Sequence, residues 1–429
     1  MKKIKIYFAA LIAVFAVTMG ALPVAAEQNT ANGFNMPEYY VETALENELG
    51  KEKYFKAYNA IKSGVENFES EIRLGTGIDE NELRMIFNSY RSDHPEHFWL
   101  NPVNTLFKTR TYNGGTREYF IAPEYFFTKE QMPAETEKIN AAADELLKEI
   151  TLSMPEFERE MLLHDRLAKS ITYDLNEEYA HTAYGALVNG RAVCDGYTQA
   201  FQYLLQKVGI QSFMVTGAGN GGNHAWNIVR IDGKYYNVDL TWDDQESDTF
   251  HAYFNLTDER IKEDHTFDTT VYRIPECNST DANYFTHFGE KIQEFSVAEL
   301  GRLIRKNGNK LHIYVTGDMK AFMAEFSRKV IIGGKEINKN YSDMIYAAGL
   351  ENVFVDGFTD FLGNEVLIKI IVRGDANYDG ITDIRDFIHM KSIIAGNFAE
   401  NKASDVDKSG NVSATDLAEL KKMLLGIKN

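Results

Sequence analysis

The chain has 429 residues, of which 44% are hydrophobic and 12% aromatic, and it carries a formal net charge of −18. That composition fits folded domains rather than disorder, and the length allows two or three of them. A polyanion with no Lys/Arg-rich run is a poor partner for nucleic acid or anionic lipid.

The first residues read as an export signal over 1–26. Lys2, Lys3 and Lys5 precede an apolar run from Ile6 to Val17, and the small residues Val24-Ala25-Ala26 suit cleavage before Glu27. The run is too short for a comfortable membrane span, and no later stretch is apolar enough for one, so the mature chain is expected outside the cell without a membrane span. Residues 27–150 are predicted to be mainly helical. Apolar spacing over Val41-Leu45-Leu49 and Tyr54-Tyr58-Ile61 supports amphipathic helices. A polar break at Leu74-Gly75-Thr76-Gly77, a strand Arg117–Ile121 and a helix from Thr136 to Ile150 follow. The next helix, from Glu156 to about Ile171, carries Met161, Leu162, Leu163 and Leu167, and its His164 reads as a packed side chain.

Residues 151–292 hold the chemistry. Cys194 is one of only two cysteines, and it opens a predicted helix whose Phe201, Leu204, Leu205 and Val208 share one face and whose end is marked by Gly209. A cysteine there meets unpaired backbone N–H groups and the positive end of the helix dipole, a setting that favours thiolate and can receive an oxyanion. Asp195 works against this unless its carboxylate caps the helix. A strand from Gln211 to Thr216, a flexible polar loop over Ala218–Asn223 and a strand from His224 to Ile231 follow. Asp232-Gly233 is a two-residue turn signal, and the chain returns along Lys234–Leu240. Such a turn pairs Ile231 with Lys234, hence Trp226 with Asp239 and His224 with Thr241. His224 and Asp239 then share one face as diagonal neighbours at roughly 7–8 Å, a gap that side chains can close. A carboxylate on the imidazole, and an imidazole that takes the thiol proton, make a nucleophilic triad. The second cysteine, Cys277, sits in a polar segment without such context. Pairing the two as a disulfide would end thiol chemistry.

From residue 293 to 373 a small α/β module is predicted, with an apolar helix (Val297, Leu300, Leu303, Ile304), a strand Leu311–Val315, a helix Met319–Phe326 and a strand pair around 352–358 and 366–372. Residues 374–429 contain a duplication. Two 12-residue loops place side-chain oxygens at the same positions: Asp375, Asn377, Asp379, Asp383 and Asp386 in the first, and Asp405, Asp407, Ser409, Ser413 and Asp416 in the second. Position 7, Ile381 or Asn411, offers a carbonyl, and glycine stands at position 6. Calcium needs six to eight hard oxygens around a sharp turn, and this spacing supplies them twice, so two Ca²⁺ ions are expected. The closing residue is Asp rather than Glu, so the following helix must bring its shorter carboxylate closer. A small module of few apolar residues is expected to need its metal to fold.

Residues 374–429 resemble a type I dockerin, the module that plugs bacterial plant-cell-wall enzymes into cohesin-bearing scaffold proteins. The resemblance implies cohesin contacts at loop positions 10 and 11, here Ile384, Arg385, Ala414 and Thr415. The two pairs differ, which speaks against symmetric dual-mode binding. Ala183-Tyr184-Gly185-Ala186-Leu187, Gly190–Tyr197, Asn223-His224-Ala225-Trp226-Asn227 and Asn237–Asp244 resemble the transglutaminase-like superfamily, whose bacterial members share a papain-like Cys-His-Asp core. The resemblance implies Cys194 as nucleophile, His224 as general base and Asp239 as orienting carboxylate, with no catalytic cofactor. The expected class is α+β: a papain-like, transglutaminase-like core with a helical amino-terminal region, the small α/β module and an all-α calcium-binding dockerin. The expected function is a secreted, scaffold-docked peptidase or amidase acting on a protein or peptide within an extracellular multienzyme complex, attached to the cell surface where the scaffold is. A cross-linking transglutaminase, and a carbohydrate-active or non-catalytic binding component of a cellulosome, are the alternatives.

Overall fold

The computed structural model describes residues 51–245, 248–268, 274–307, 310–332, 335–349, 353–377 and 382–427. The signal at 1–26 and the pattern Val41-Leu45-Leu49 lie outside them. The described residues mix helices and strands, an α+β chain. It forms two compact units, one ending at His287 and the other beginning at Phe288. Among the described residues no helix is long and apolar enough to cross a membrane.

The first unit begins with helix α1 (Lys51–Glu66), whose Tyr54, Tyr58 and Ile61 are fully buried, as the periodicity predicts. Strand β1 (Ile72–Thr76), helix α2 (Glu80–Asp93) and strands β2 (Leu100–Thr111) and β3 (Arg117–Tyr125) follow. The region expected to be mainly helical therefore also holds a three-stranded antiparallel sheet in the order β1-β3-β2. Sequence reasoning finds only β3 in it. β2 is an edge strand with most of its side chains exposed and a register shift between Asn101 and Leu106, so it lacks the alternation that betrays a half-buried strand. The presumed polar break is β1 itself, bulged between Arg73 and Gly75. These elements enclose a core of their own around Tyr58, Ile61, Ile86 and Tyr90.

Helices α3 (Met132–Leu147), α4 (Glu156–Ala168) and α5 (Ala183–Val188) lead to the central helix α6 (Cys194–Lys207). Phe201, Leu204, Leu205 and Val208 are fully buried, and Gly209 takes φ +73° just past the helix end. α6 packs against an antiparallel sheet of β4 (Ser212–Gly219), β5 (Gly222–Ile231), β6 (Lys234–Val238) and β7 (His265–Phe267), in the order β7-β4-β5-β6. The polar segment 218–223, expected to be a flexible loop, is instead a tight hairpin. β4 and β5 pair through to Gly219–Gly222, and Asn220 and Gly221 take φ +47° and +80°. Asn-Gly is the sequence signal for such a turn. The second hairpin turns at Asp232-Gly233 (φ +48° and +82°), and Ile231 pairs with Lys234 as the two-residue turn demands.

In the second unit a four-stranded sheet runs β8 (Lys291–Ile292), β9 (Lys310–Val315), β11 (Glu365–Val372), β10 (Val353–Leu362). Helices α8 (Val297–Asn307), α9 (Met319–Phe326) and α10 (Lys339–Ala347) belong to the same α/β module, around a core of Leu300, Leu303, Phe322, Val366 and Ile368. Residues 291–292, placed by sequence with the catalytic core, pair in parallel with β9 and belong here. Helices α11 (Ile384–Ile394) and α12 (Ala414–Leu424) close the chain around Ala376, Met390, Val406 and Leu420.

Candidate active site

Cys194 is the first residue of α6. The preceding Val193 offers no side-chain cap, so the N–H groups of the first turn face the thiol end without a competing oxygen from the cap residue. Space decides what may follow the cysteine. A Cβ on Gly196 would overlap the carbonyl oxygen of Ala180 and crowd Ala192. Glycine at that position lets the helix start lie against the 180–192 segment, where Val193 N–H donates to the Ala180 carbonyl at 3.1 Å. Asp195 does not cap the helix. Its carboxylate turns aside to His181 (2.9 Å) and to Arg91 at the end of α2 (3.1 Å). Burial alone would raise the pKa of Asp195, but these partners outweigh it and hold the carboxyl below its usual range.

His224 lies in β5 with its side chain 8% exposed. The register opposes Asn227 to Val238, which brings Asp239 in one step beyond the paired end of β6. Asp239 is not a strand residue, as the sequence suggested. It is the N-cap of a short helix, α7 (Leu240–Asp243), a position where aspartate is favoured. Each carboxylate oxygen has its own task. Oδ1 accepts from the backbone N–H of Thr241 and Trp242 at 3.1 and 3.3 Å. Oδ2 accepts from His224 Nε2 at 2.6 Å and from His265 Nε2 at 3.1 Å. Burial opposes the charge on Asp239, yet the two imidazoles overcome it and lower the pKa.

With Nε2 bound to Asp239, the Nδ1 of His224 is the nitrogen left for the thiol. Burial works against a charged His224 ring, but hydrogen bonds to Asp239 and Cys194 prevail and raise it to about 10. The ring stacks on Trp226 (6.1 Å) and meets Trp242 at a tilt (5.5 Å). Trp226, Tyr184 and Tyr197 are buried core side chains, while Trp242 is half-buried against His224 and His265.

Sequence reasoning missed His265. It arrives on β7, a three-residue strand, and is fixed at its other nitrogen by Asp264 at 2.6 Å. No local pattern marks it, because its contact with Asp239 exists only once β7 pairs with β4. His164 is fully buried, as expected of a packed histidine. It bridges Asp165 and Asp243, each at 3.2 Å, so it supports α7 immediately after Asp239. Asp243 is thereby occupied, and Asp244 accepts from the Tyr197 hydroxyl at 2.7 Å. Both cysteines are free, and Cys277 is buried with its thiol pKa pushed well up by burial.

In the carboxy-terminal repeat the two loops close alike. Asp386 Oδ1 accepts from Asn377 N–H and its Oδ2 from Asp383 N–H, at 3.2 and 2.7 Å. Asp416 does the same with Asp407 and Ser413, at 3.0 and 2.8 Å. Both closing aspartates sit in the first turn of the following helix and are fully buried, which is how a short carboxylate reaches the loop. Asp383 and Ser413 serve as N-caps. Carboxylate oxygens of Asp405, Asp407 and Asp416 lie within 4.8 Å of one another. Three such charges, one buried, repel unless a cation joins them, so the residues fit calcium. Asn411 follows Gly410, whose N–H donates to Asp405 at 3.0 Å, in the sharp turn of this loop. Asp375 is buried at the start of the first loop, and Asp379 and Ile381 lie outside the described residues. Ile384, Arg385, Ala414 and Thr415 are all exposed, on the first turns of α11 and α12, and Arg385 is tied to Asp383 at 2.8 Å.

Comparison with known proteins finds two domains. The transglutaminase-like superfamily model matches residues 132–240, and the dockerin type I domain model matches residues 373–425. No curated protein matches. Similar solved structures include one of a TGase (16% identity, 38% of this chain and 48% of that one, TM-score 0.24). Others are a candidate cysteine protease from Cytophaga hutchinsonii (12%, 40% and 67%, 0.21) and a candidate protease from Parabacteroides distasonis ATCC 8503 (11%, 32% and 36%, 0.19). The alignment spans about half the length of that TGase. The chain carries a transglutaminase-like domain followed by a type I dockerin domain.

Proposed function

We propose that this protein is an exported cysteine enzyme that cleaves amide bonds and is held by its dockerin on a cohesin-bearing scaffold outside the cell. The observation that carries the reading is the bond from His224 Nε2 to Asp239 Oδ2 at 2.6 Å, with the His224 ring also bonded to Cys194 at the start of α6. Asp239 orients the ring and favours its charged form, so His224 can take the Cys194 proton. The thiolate sulfur attacks the amide carbonyl carbon, and the oxyanion forms beside the first-turn N–H groups of α6. Imidazolium returns the proton to the departing nitrogen as the C–N bond breaks, leaving a thioester on Cys194. Water, deprotonated by His224, then releases the acid. An amine taking the place of water would form a new amide instead.

On the same reading, two calcium ions hold the dockerin loops, and the exposed residues at positions 10 and 11 of each loop meet the cohesin. The signal at 1–26, the catalytic core and the module of residues 293–373 would then be the parts of a secreted, scaffold-bound enzyme.

The test is a generic acyl donor, p-nitrophenyl acetate, followed by intact-mass analysis. An acetyl adduct on Cys194 is expected, with none on Cys194→Ala. Adding a peptide substrate and a primary amine separates hydrolysis from amine transfer by product mass. Absence of an acyl adduct on the wild-type chain refutes thiol catalysis.

A further inference from the structure

A second cluster of imidazole and carboxylate groups lies in the first unit and takes no part in the chemistry above. It is built on the turn Asp93–His97 that follows α2. His97 N–H closes the turn on the His94 carbonyl at 3.1 Å. His94 and His97 stack with ring centroids 4.7 Å apart and planes 17° from parallel. One ligand atom from each of His94, Glu96 and His97 lies within 4.8 Å of the other two. Their side chains are 4%, 24% and 7% exposed, so the cluster is enclosed with one side open at Glu96. Glu66, the last residue of α1, brings a second carboxylate to 3.8 Å from His97 Nε2.

Hydrogen-bond polarity gives the cluster its meaning. The Tyr58 hydroxyl donates to Asp93 Oδ2 at 3.0 Å, so it can only accept from His94 Nε2, also at 3.0 Å. His94 therefore turns Nε2 outward to Tyr58 and Nδ1 inward, where it faces Glu96 Oε1 at 2.7 Å. A metal ion uses His94, His97 and the Glu96 carboxylate at once.

We propose that His94, Glu96 and His97 bind a zinc-like divalent transition-metal ion, with the fourth position left to solvent. Two imidazoles and a carboxylate suit zinc, whereas calcium takes oxygen ligands. Bonds of about 2.1 Å in a tetrahedron separate ligand atoms by roughly 3.4 Å. The 2.7 and 3.9 Å spacings of Glu96 Oε1 from His94 and His97 bracket that value. Tyr58 and Tyr90 then orient the rings through the outward nitrogens, Tyr90 lying 2.5 Å from His97 Nδ1. Lys62, one turn before Glu66, adds a competing positive charge. The ion would fix the turn that follows α2. Arg91, in the last turn of α2, is the residue that holds Asp195 beside Cys194.

The test uses the full chain with Cys194→Ala, kept in calcium so that the carboxy-terminal loops stay loaded, and stripped with a zinc-selective chelator. Titration with Co²⁺ should give one equivalent bound, with the visible d–d bands of a tetrahedral nitrogen–oxygen site, displaced by Zn²⁺. His97→Gln and Glu96→Gln should abolish the bands, and Tyr90→Phe should weaken binding by roughly tenfold. His265→Gln should leave it intact. If His97→Gln does not fold, the partly exposed Glu96→Gln decides. No binding, or binding with unchanged bands in Glu96→Gln, overturns the proposal. Because Cys194 is absent from this experiment, its failure would not bear on the thiol chemistry.

Discussion

Asp239 Oδ2 accepts a hydrogen bond from the Nε2 of both His224 and His265, at 2.6 and 3.1 Å, in a site where Asp239 and His265 are almost wholly buried. One carboxylate oxygen is thus shared between the ring that faces the thiol and a ring that does not. His265, held in turn by Asp264, keeps Asp239 from rotating away when His224 loses its proton.

Asp239→Asn removes the negative charge that raises His224. Because that raised value lies near 10, the wild-type imidazolium persists to high pH and the alkaline limb of kcat/KM sits there. In Asp239→Asn the limb moves to lower pH, and kcat falls by roughly 10²-fold or more. A pH–rate profile with an unmoved alkaline limb contradicts this.

His265→Asn is expected to preserve folding while shifting the same limb by less than Asp239→Asn does. A loss of activity with an unchanged pH profile would instead mark His265 as structural packing.

Gly219 touches the site through the space it leaves. A Cβ there would lie 2.8 Å from Trp242 Cζ2 and 3.2 Å from the His224 ring. Gly219→Ala should push both rings and lower kcat more than KM, at a stability cost of about 1–3 kcal/mol. Equal activity of the two proteins, measured well below their melting temperatures, would refute it.

His164 should set an alkaline limit to stability. Burial disfavours its charge, but Asp165 and Asp243 win and raise it from 6.5 to about 9. The folded form therefore binds the proton more tightly than the unfolded chain. The stabilisation is fully present below pH 6.5 and is lost as pH rises through 9, on the order of 3 kcal/mol in all. Urea melts from pH 6 to 10 should show this decline. His164→Gln should be less stable at pH 6 and flatter across the range, and an equally steep decline in the variant excludes His164 as its source.

Calcium removal should unfold residues 374–429. Asp386 and Asp416 are buried carboxylates, and the loops that they close carry further acids. The far-UV CD of a 374–429 fragment should collapse in EDTA and return with calcium, and a spectrum indifferent to both contradicts the expectation.

Much of this protein is determined by short-range pattern. The duplicated loops are visible because calcium ligation demands oxygens at fixed intervals along one continuous segment. The two-residue turn at Asp232-Gly233 sets the register by arithmetic as far as Asn227 and Val238; the pairs Trp226–Asp239 and His224–Thr241 that counting predicts do not form, because the chain leaves the sheet for α7 at Asp239. Helix α6 declares itself by spacing. What depends on distant segments is decided by tertiary structure alone. The contact of His265 with Asp239 requires β7 to pair with β4, which no periodicity announces. Asp239 becomes an N-cap rather than a strand residue because its side chain finds the N–H groups of Thr241 and Trp242. Asp195 is drawn from the helix start by Arg91, which lies 104 positions earlier in the chain. Edge strand β2 stays hidden because its outward face is solvated and bears no hydrophobic signature. Spacing along the chain can specify which groups come together within one hairpin or loop. It cannot specify contacts whose closure entropy is offset only when the whole core assembles.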